Sequence, residues 1–463
     1  MAQLLGYWRH ALDYRPDEVL TISGGDAWTG PYESTVLHGR PVVEIMNLAG
    51  YDAQTIGNHD FDFGPEELLK RAREARFPLL AANVYRVGSQ VRPPYAVGST
   101  TVRVGDARVG VVGLANIDTP VVTHPRNVAG LSFTEYEGAL RREVAALRST
   151  GVDVVVVMIH QEVEALLPLV PLLRELGVQF VGSGHSHMPS LTVDRGAAPG
   201  PEDDVILCNP GPYARSFCRA LLRFEGTPPR LVAHEEEIVR VGGVIGEVSY
   251  PSAPEIDAVI TRAREQASSA GDEELARSVR GLSRADPDER LGHLVVDAWL
   301  DALPFTQVAI TNAGGLRQDI DPGPVTVRTV VGVLPIENYL VVIELTGAQL
   351  KEALAHPQTI AGGVRFKYRC SEDGWRDLVS AADQEGRPID DAKVYKVVVN
   401  EFIYRGGDRY RLREFDPNPE ETALHWREPV VRYLRQLGQR GAAADLEVDG
   451  RATSIDGRRC GVR

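Results

Sequence analysis

Residues 153–162, DVVVVMIHQE, limit the fold more than any other stretch of the chain. The run from Val154 to Ile159 is apolar on both sides of an extended backbone, which is the signature of a central strand with neither face in water, and it ends in His160. Related runs recur. EVLTIS (18–23) leads into Gly24, Gly25 and Asp26, and VQFVGSG (178–184) leads into His185, Ser186 and His187. A short strand delivers TIGNHDFDFG (55–64), which places Asn58, His59, Asp60 and Asp62 in one turn. In open α/β sheets ligands bind beyond the carboxyl ends of strands, which is where these polar residues fall.

Helical patterns separate the strands. Leu4, Leu5, Trp8 and Leu12 share one face of residues 2–15, and PVVEIMNLAG (41–50) is amphipathic. PEELLKRAREARF begins on Pro65 with Glu66 and Glu67 at the positive end of the helix dipole. EYEGALRREVAALRSTG (135–151) and LLPLVPLLRELG (166–177) also read as helices, and Gly105-Asp106 marks a hairpin turn. ILCNPGPYARSFCRALLRF (206–224) reads as a further hairpin. At 463 residues the chain exceeds one ordinary core. The expectation is a domain over 1–250, a polar, Ala-rich linker helix over 251–277 and a second α/β domain over 278–463. The second domain is read from the helix LGHLVVDAWLDAL (291–303), the strand and glycine turn VAITNAGGLR (308–317), and VYKVVVNEFIYRGGDRYRL (394–412).

The formal net charge of −14 argues against nucleic acid or an anionic membrane surface as partner. No apolar run is long enough to span a bilayer, and residues 1–16 do not resemble a signal peptide, since Arg9, His10 and Asp13 interrupt them. The four cysteines have no C-x-x-C spacing. Cys208 and Cys218 flank a turn where a disulfide or two reduced, packed thiols would fit, and the reduced pair is the expectation.

A solitary histidine is more often structural than a ligand. Asp26, Asn58, His59, His160, His185 and His187 all follow strands of one unit, and this oxygen and imidazole set suits Mn, Zn, Fe, Co or Ni. If the H-x-H of residues 185–187 is extended, both rings point to one side. Phosphate-ester hydrolysis needs water activated at neutral pH and phosphoryl charge neutralised, and two divalent ions supply both. In that reading Asp26 bridges the ions, Asn58, His160 and His185 complete one shell, and His187 serves the other. His59 is left to meet the phosphoryl or leaving oxygen, with Asp62 orienting it.

G-D-A-W-T-G from Gly25, G-N-H-D-F-D from Gly57, His160 and G-H-S-H from Gly184 together resemble the bacterial 5'-nucleotidase family of the calcineurin-like metallophosphoesterases. L-G-H-L from Leu291, N-A-G-G-L-R from Asn312, L-P-I-E-N ending at Asn338 and G-G-D from Gly406 are similar to its C-terminal nucleotide-binding domain. The resemblance implies an α/β-β/α domain of two packed sheets, a linker helix and an α/β substrate-binding domain. It implies a catalytic pair at His59 and Asp62, metal ligands at Asp26, Asn58, His160, His185 and His187, and substrate contacts at Asn312, Arg317, Asn338, Gly407, Asp408 and Tyr410. The expected activity is release of phosphate from nucleoside 5'-monophosphates or related nucleotides with two divalent ions. Alternatives are a phosphodiesterase, a sugar-nucleotide or sulfur-ester hydrolase, and a non-catalytic metal- or nucleotide-binding homologue. The resemblance implies a periplasmic or secreted protein if a signal peptide lies upstream, and a cytoplasmic one otherwise.

Three departures accompany the resemblance. The family's leading D-x-H strand is not in this chain, so a filled second metal site and a defective first one are expected. Asp60 stands where the family usually has Glu, with little expected effect. Of the family's two base-stacking aromatics Tyr410 matches one, while Gln358 and Thr359 stand where the other is expected.

Overall fold

A computed structural model describes residues 1–197, 200–227, 229–241, 250–267, 269–458 and 460. The chain divides into two compact units, Met1–Thr29 with Leu37–Gln266, and Gly30–Val36 with Ala267–Arg463.

Two sheets organise the first unit. Short parallel strands Ile22–Ser23, Ala53–Thr55 and Leu79–Leu80 lie side by side in that order. The larger sheet runs Ser190–Asp194, Val205–Asn209, Phe180–Ser183, Val154–Ile159, Ala107–Leu114, Ser99–Val104. Its four central strands are parallel and its edges antiparallel. The all-apolar run explains itself in the packing. Val155, Val157 and Ile159 face the helices Tyr136–Ser149 and Val170–Glu175 through Leu140, Val144 and Leu173. Met158 points the other way and packs with Ala53, Leu80 and Val111 between the two sheets. Helices Arg40–Ala49 and Gly64–Glu74 cover the outer face of the smaller sheet with Val43, Met46 and Leu68. The result is the expected α/β-β/α layering.

Three local expectations change. EVLTIS is extended only at Ile22–Ser23, because Glu18 N–H closes a turn onto Arg15 O. The stretch 206–224 is not one hairpin. Val205–Asn209 belongs to the large sheet, and Ser216–Glu225 pairs instead with Arg230–Arg240. The linker helix expected over 251–277 is confined to Pro254–Gln266, whose Ile256 and Val259 pack with Leu4, Leu5 and Trp8 inside the first unit. A short turn at Ser269–Asp272 ends it, and Glu274–Ser278 forms a strand against Gly323–Thr326 in the second unit.

The second unit has a five-stranded sheet in the order Thr359–Gly362, Val308–Asn312, Val394–Asn400, Tyr339–Thr346, Glu420–His425. Alternation again decides the faces. Val398 packs with Leu294 and Trp299 of helix Arg290–Ala302 and with Trp426, while Val397 and Val399 pack with Leu350 and Phe366. The opposite face also carries a small sheet ordered Arg376–Asp383, Val364–Cys370, Ala452–Ser454.

All four cysteines are paired. Cys208 bonds Cys218 and Cys370 bonds Cys460, with Cα separations of 6.2 and 5.2 Å. The expected reduced pair at Cys208 and Cys218 is therefore corrected. The second bridge joins residues 90 apart, a pairing that no local pattern announces. Among the described residues no helix is long and apolar enough to cross a membrane.

Candidate metal centre

Four strand ends of the first unit bring the polar residues together. Ile22–Ser23 runs into Asp26, Ala53–Thr55 into a single helical turn at Asn58–Phe61, Val154–Ile159 into His160, and Phe180–Ser183 into His185. Glycines make the approach possible. A Cβ on Gly57 would lie 2.2 Å from Asp26 Oδ1 and 2.6 Å from His160 Cε1. One on Gly25, whose φ is +92°, would lie 2.6 Å from Gly57 N. Asp26, His185 and His187 themselves adopt φ of +54°, +72° and +58°. Non-glycine residues are held in this region only where surrounding bonds over-determine them, a condition concentrated at functional sites.

Hydrogen bonds fix the ring and amide orientations. His160 Nδ1–H donates to Gly24 O at 2.6 Å, so Nε2 carries the lone pair of the neutral ring. That nitrogen lies 3.0 Å from Asp26 Oδ2 and 3.2 Å from Asn58 Oδ1, both acceptors. Asn58 Nδ2 donates to Val122 O at 3.1 Å, which turns Oδ1 toward His160 and toward His185 Nδ1 at 3.0 Å. One atom each from Asp26, His160 and His185 lies within 4.8 Å of the others. A carboxylate oxygen, an amide oxygen and two imidazole nitrogens thus converge, and acceptors facing acceptors call for a positive charge among them. That donor set fits a borderline divalent cation. Both acceptors bear on the His160 ring. Burial opposes its protonation, but Asp26 outweighs burial and raises it above the ordinary histidine range. Burial also works against ionised Asp26, yet His160, His59 and His185 hold its carboxyl far below the usual range.

His187 lies outside this three-residue group, its ring set edge-on to Tyr213 with centroids 5.5 Å apart. The turn is not extended, so the one-sided pairing expected of an extended H-x-H does not arise. His59 and Asp62 do meet. His59 Nδ1 lies 2.9 Å from Asp62 Oδ2, and the His59 backbone N–H donates to Asp26 Oδ1 at 2.7 Å.

Sequence reasoning gave Asp60 no role, and the structure gives it one. Its buried carboxylate accepts from the backbone N–H groups of Asp26 (3.0 Å), Ala27 (3.1 Å) and Gly57 (2.8 Å) and from Gln54 Nε2 (3.1 Å). Burial, and then the nearby Asp26 charge, push its pKa up to about 6. The available signal was an acid three residues after Gly57, the spacing of a capping contact.

In the second unit Asn312, Asn338 and Asp408 join one buried amide network. Asn312 Nδ2 donates to Asp408 Oδ2 at 2.7 Å, and Asn400, which the sequence did not single out, donates to Asn312 Oδ1 at 3.2 Å. Asn338 Nδ2 reaches Asn400 Oδ1 at 3.3 Å. Arg317 donates to Gly314 O at 3.1 Å on the same glycine turn. Gly407 approaches Phe402 so closely that a Cβ would lie 2.5 Å from its ring. Tyr410 is a correction. It is 5% exposed, its hydroxyl bonds Thr359 Oγ1 at 2.7 Å, and His356 stacks on its ring at 3.9 Å, so it is a core residue without a free stacking face. Burial lowers the His356 pKa to about 4, and the neutral ring donates through Nε2 to Asp408 O at 2.9 Å.

Comparisons with known proteins agree with this architecture. Residues 266–414 match the model of the 5'-nucleotidase C-terminal domain. The chain is 27% identical to the 5'-nucleotidase of Bos taurus over 458 residues, covering 87% of this chain and 77% of that protein. A 5'-nucleotidase precursor from Thermus thermophilus superposes with a TM-score of 0.85 at 24% identity, covering 99% of this chain and 94% of that one. The sulfate thiohydrolase SoxB of Thermus thermophilus superposes at 0.79 with 20% identity, over 100% and 84% of the two chains. Its C-terminal match, these relatives and this fold make the chain similar to 5'-nucleotidases over most of its length, with residues 266–414 forming a 5'-nucleotidase C-terminal domain.

Proposed function

We propose that the protein is a metal-dependent phosphoesterase that releases phosphate from nucleoside 5'-monophosphates or related nucleotides. The observation that carries this reading is the convergence of acceptor atoms from Asp26, Asn58, His160 and His185 beside the His59–Asp62 pair. Relatives named 5'-nucleotidase support the substrate class. These four residues would hold one cation, while for a second only Asp26 and His187 remain, an incomplete set. When bound, such ions supply the charge that activates water and neutralises phosphoryl oxygens.

The chain's own groups do the rest. The carboxylate of Asp62 keeps the proton on His59 Nδ1, which leaves His59 Nε2 to hold or deliver a proton at the leaving ester oxygen. The His59 N–H and the Asp60 clamp hold Asp26 against rotation. Asn312, Arg317, Asn338, Gly407 and Asp408 are proposed for substrate recognition, and Tyr410 is not, because its ring is covered. That burial favours a second reading in which the preferred ester depends little on base stacking, such as a sugar-nucleotide, a phosphodiester or a sulfur ester. The two disulfides support an oxidising compartment.

The test is phosphate release by protein purified with Mn or Zn, against nucleotides, sugar-nucleotides and aryl phosphates, with an Asn58→Ala control. Activity on nucleotides that the control lacks supports the reading. Equal, absent activity in both, with Mn bound, favours the non-catalytic homologue.

A further inference from the structure

Asn209 holds the backbone of the Gly184–His187 turn from outside. With His185 and His187 both at positive φ, its internal support among the described backbone bonds is Ser186 N–H to Gly184 O at 2.9 Å. Asn209, at the end of strand Val205–Asn209 and 2% exposed, supplies the external support. Its Nδ2 donates to Gly184 O at 2.9 Å and to Ser186 Oγ at 3.1 Å, which uses both amide hydrogens. Its Oδ1 accepts Gly211 N–H at 2.9 Å.

Asn209 is itself rigidly mounted. The Cys208–Cys218 bridge begins at the preceding residue and closes the loop 209–217. Ser216 Oγ–H donates to Pro210 O inside that loop, and Tyr213 at its tip meets the His187 ring. The bridge thus anchors, through Asn209, a turn that carries two ligand-type histidines.

We infer that Asn209 is a positioning residue for cation binding, setting the His185–His187 turn through its two amide hydrogens, with the disulfide-closed loop as its mount. The inference rests on the reading that the Asp26 group binds a cation. Aspartate cannot replace Asn209, because a carboxylate would present lone pairs to Gly184 O. Alanine would leave Gly184 O and Ser186 Oγ without this donor and free the turn to leave its positive-φ geometry.

The experiment is calorimetric titration with Mn(II) of the metal-stripped full chain, its Asn209→Ala, Asn209→Asp and Ser186→Ala variants, each paired with a melting curve. Wild type should bind. Asn209→Ala and Asn209→Asp should bind about tenfold more weakly or worse, the usual effect of removing a group that orients a ligand. Ser186→Ala, which removes one of the two acceptors, should lose less. A folded Asn209→Ala with wild-type Mn(II) affinity overturns the inference alone. If Asn209→Ala fails to fold, Ser186→Ala decides, and wild-type affinity there overturns the inference. Absence of Mn(II) binding by wild type overturns the functional reading itself, and this inference with it.

Discussion

Asp60 Oδ2 accepts the backbone N–H of Asp26 at 3.0 Å, and through this bond a residue of one strand-end turn sets the backbone of another. With Gly57 and Gln54 bound to the same carboxylate, the clamp spans the two loops that carry Asp26 and Asn58. Asp60→Asn replaces an acceptor by a donor that faces N–H groups. It should destabilise the protein by about 1–3 kcal/mol, the cost of leaving buried donors unpaired, and weaken Mn(II) binding. Denaturant melts and metal titration check both effects.

His59 sets its ring against Asp62, while its backbone N–H supports Asp26. His59→Ala removes the ring and keeps the N–H. The expectation is a fall in kcat of about 10²–10⁴-fold with Mn(II) affinity near wild type. Asp62→Asn should fall less, because it disturbs the tautomer and not the ring. Steady-state kinetics with metal titration separate the two roles.

Chelation should abolish phosphate release, and Mn(II) should restore it. Because ligand binds only the folded state, metal at about 100 times its dissociation constant should add roughly 2.7 kcal/mol of stability. The difference in melting between stripped and loaded protein measures this. His160→Ala should show no difference, since it removes the nitrogen that faces both Asp26 and Asn58.

His234 sits between two carboxylates, with Nδ1 2.6 Å from Glu236 and Nε2 3.1 Å from Asp204. Burial opposes its charge, but the bonds to Glu236 and Asp204 outweigh burial and raise its pKa above the ordinary value. Arg195 also reaches Asp204, at 2.8 Å. The sign follows from linkage. The histidine's contribution is fully present below its unfolded pKa of about 6.5 and is lost as pH rises through the higher folded value. Wild-type stability should therefore fall on the alkaline side relative to His234→Gln, and paired melts across that range check it.

The Cys370–Cys460 bridge ties residue 460 to the strand Val364–Cys370, on which Ala452–Ser454 also pairs. The double variant Cys370→Ser/Cys460→Ser should lose about 2–4 kcal/mol of stability through the freer unfolded chain. Mn(II) affinity should stay at the wild-type level, because the bridge lies in the second unit and the proposed metal ligands in the first.

Much of the site was legible because its signals are local. Apolar runs that end in Asp26, Asn58, His160 and His185 mark strand ends, and strand ends of parallel sheets are where side chains converge. The His59–Asp62 pair was also within reach, since the two stand three positions apart in one tight turn. Where sequence reasoning failed, the deciding contact crossed the chain. Tyr410 is covered by His356, 54 positions earlier, and Asn400 reaches Asn312 across 88.

The sequence by itself determined the alternation of strands and helices and which polar residues follow strand ends, because side-chain period and strand-end position follow from the backbone of each segment alone. Only the tertiary structure decided how those residues are held. Asp60 clamping Asp26, Asn209 bracing the His185–His187 turn and the pairing of Cys370 with Cys460 join residues 34, roughly 25 and 90 positions apart. No residue's identity states which distant donor will meet it; that is fixed when the strands pack and each buried polar group must find a partner.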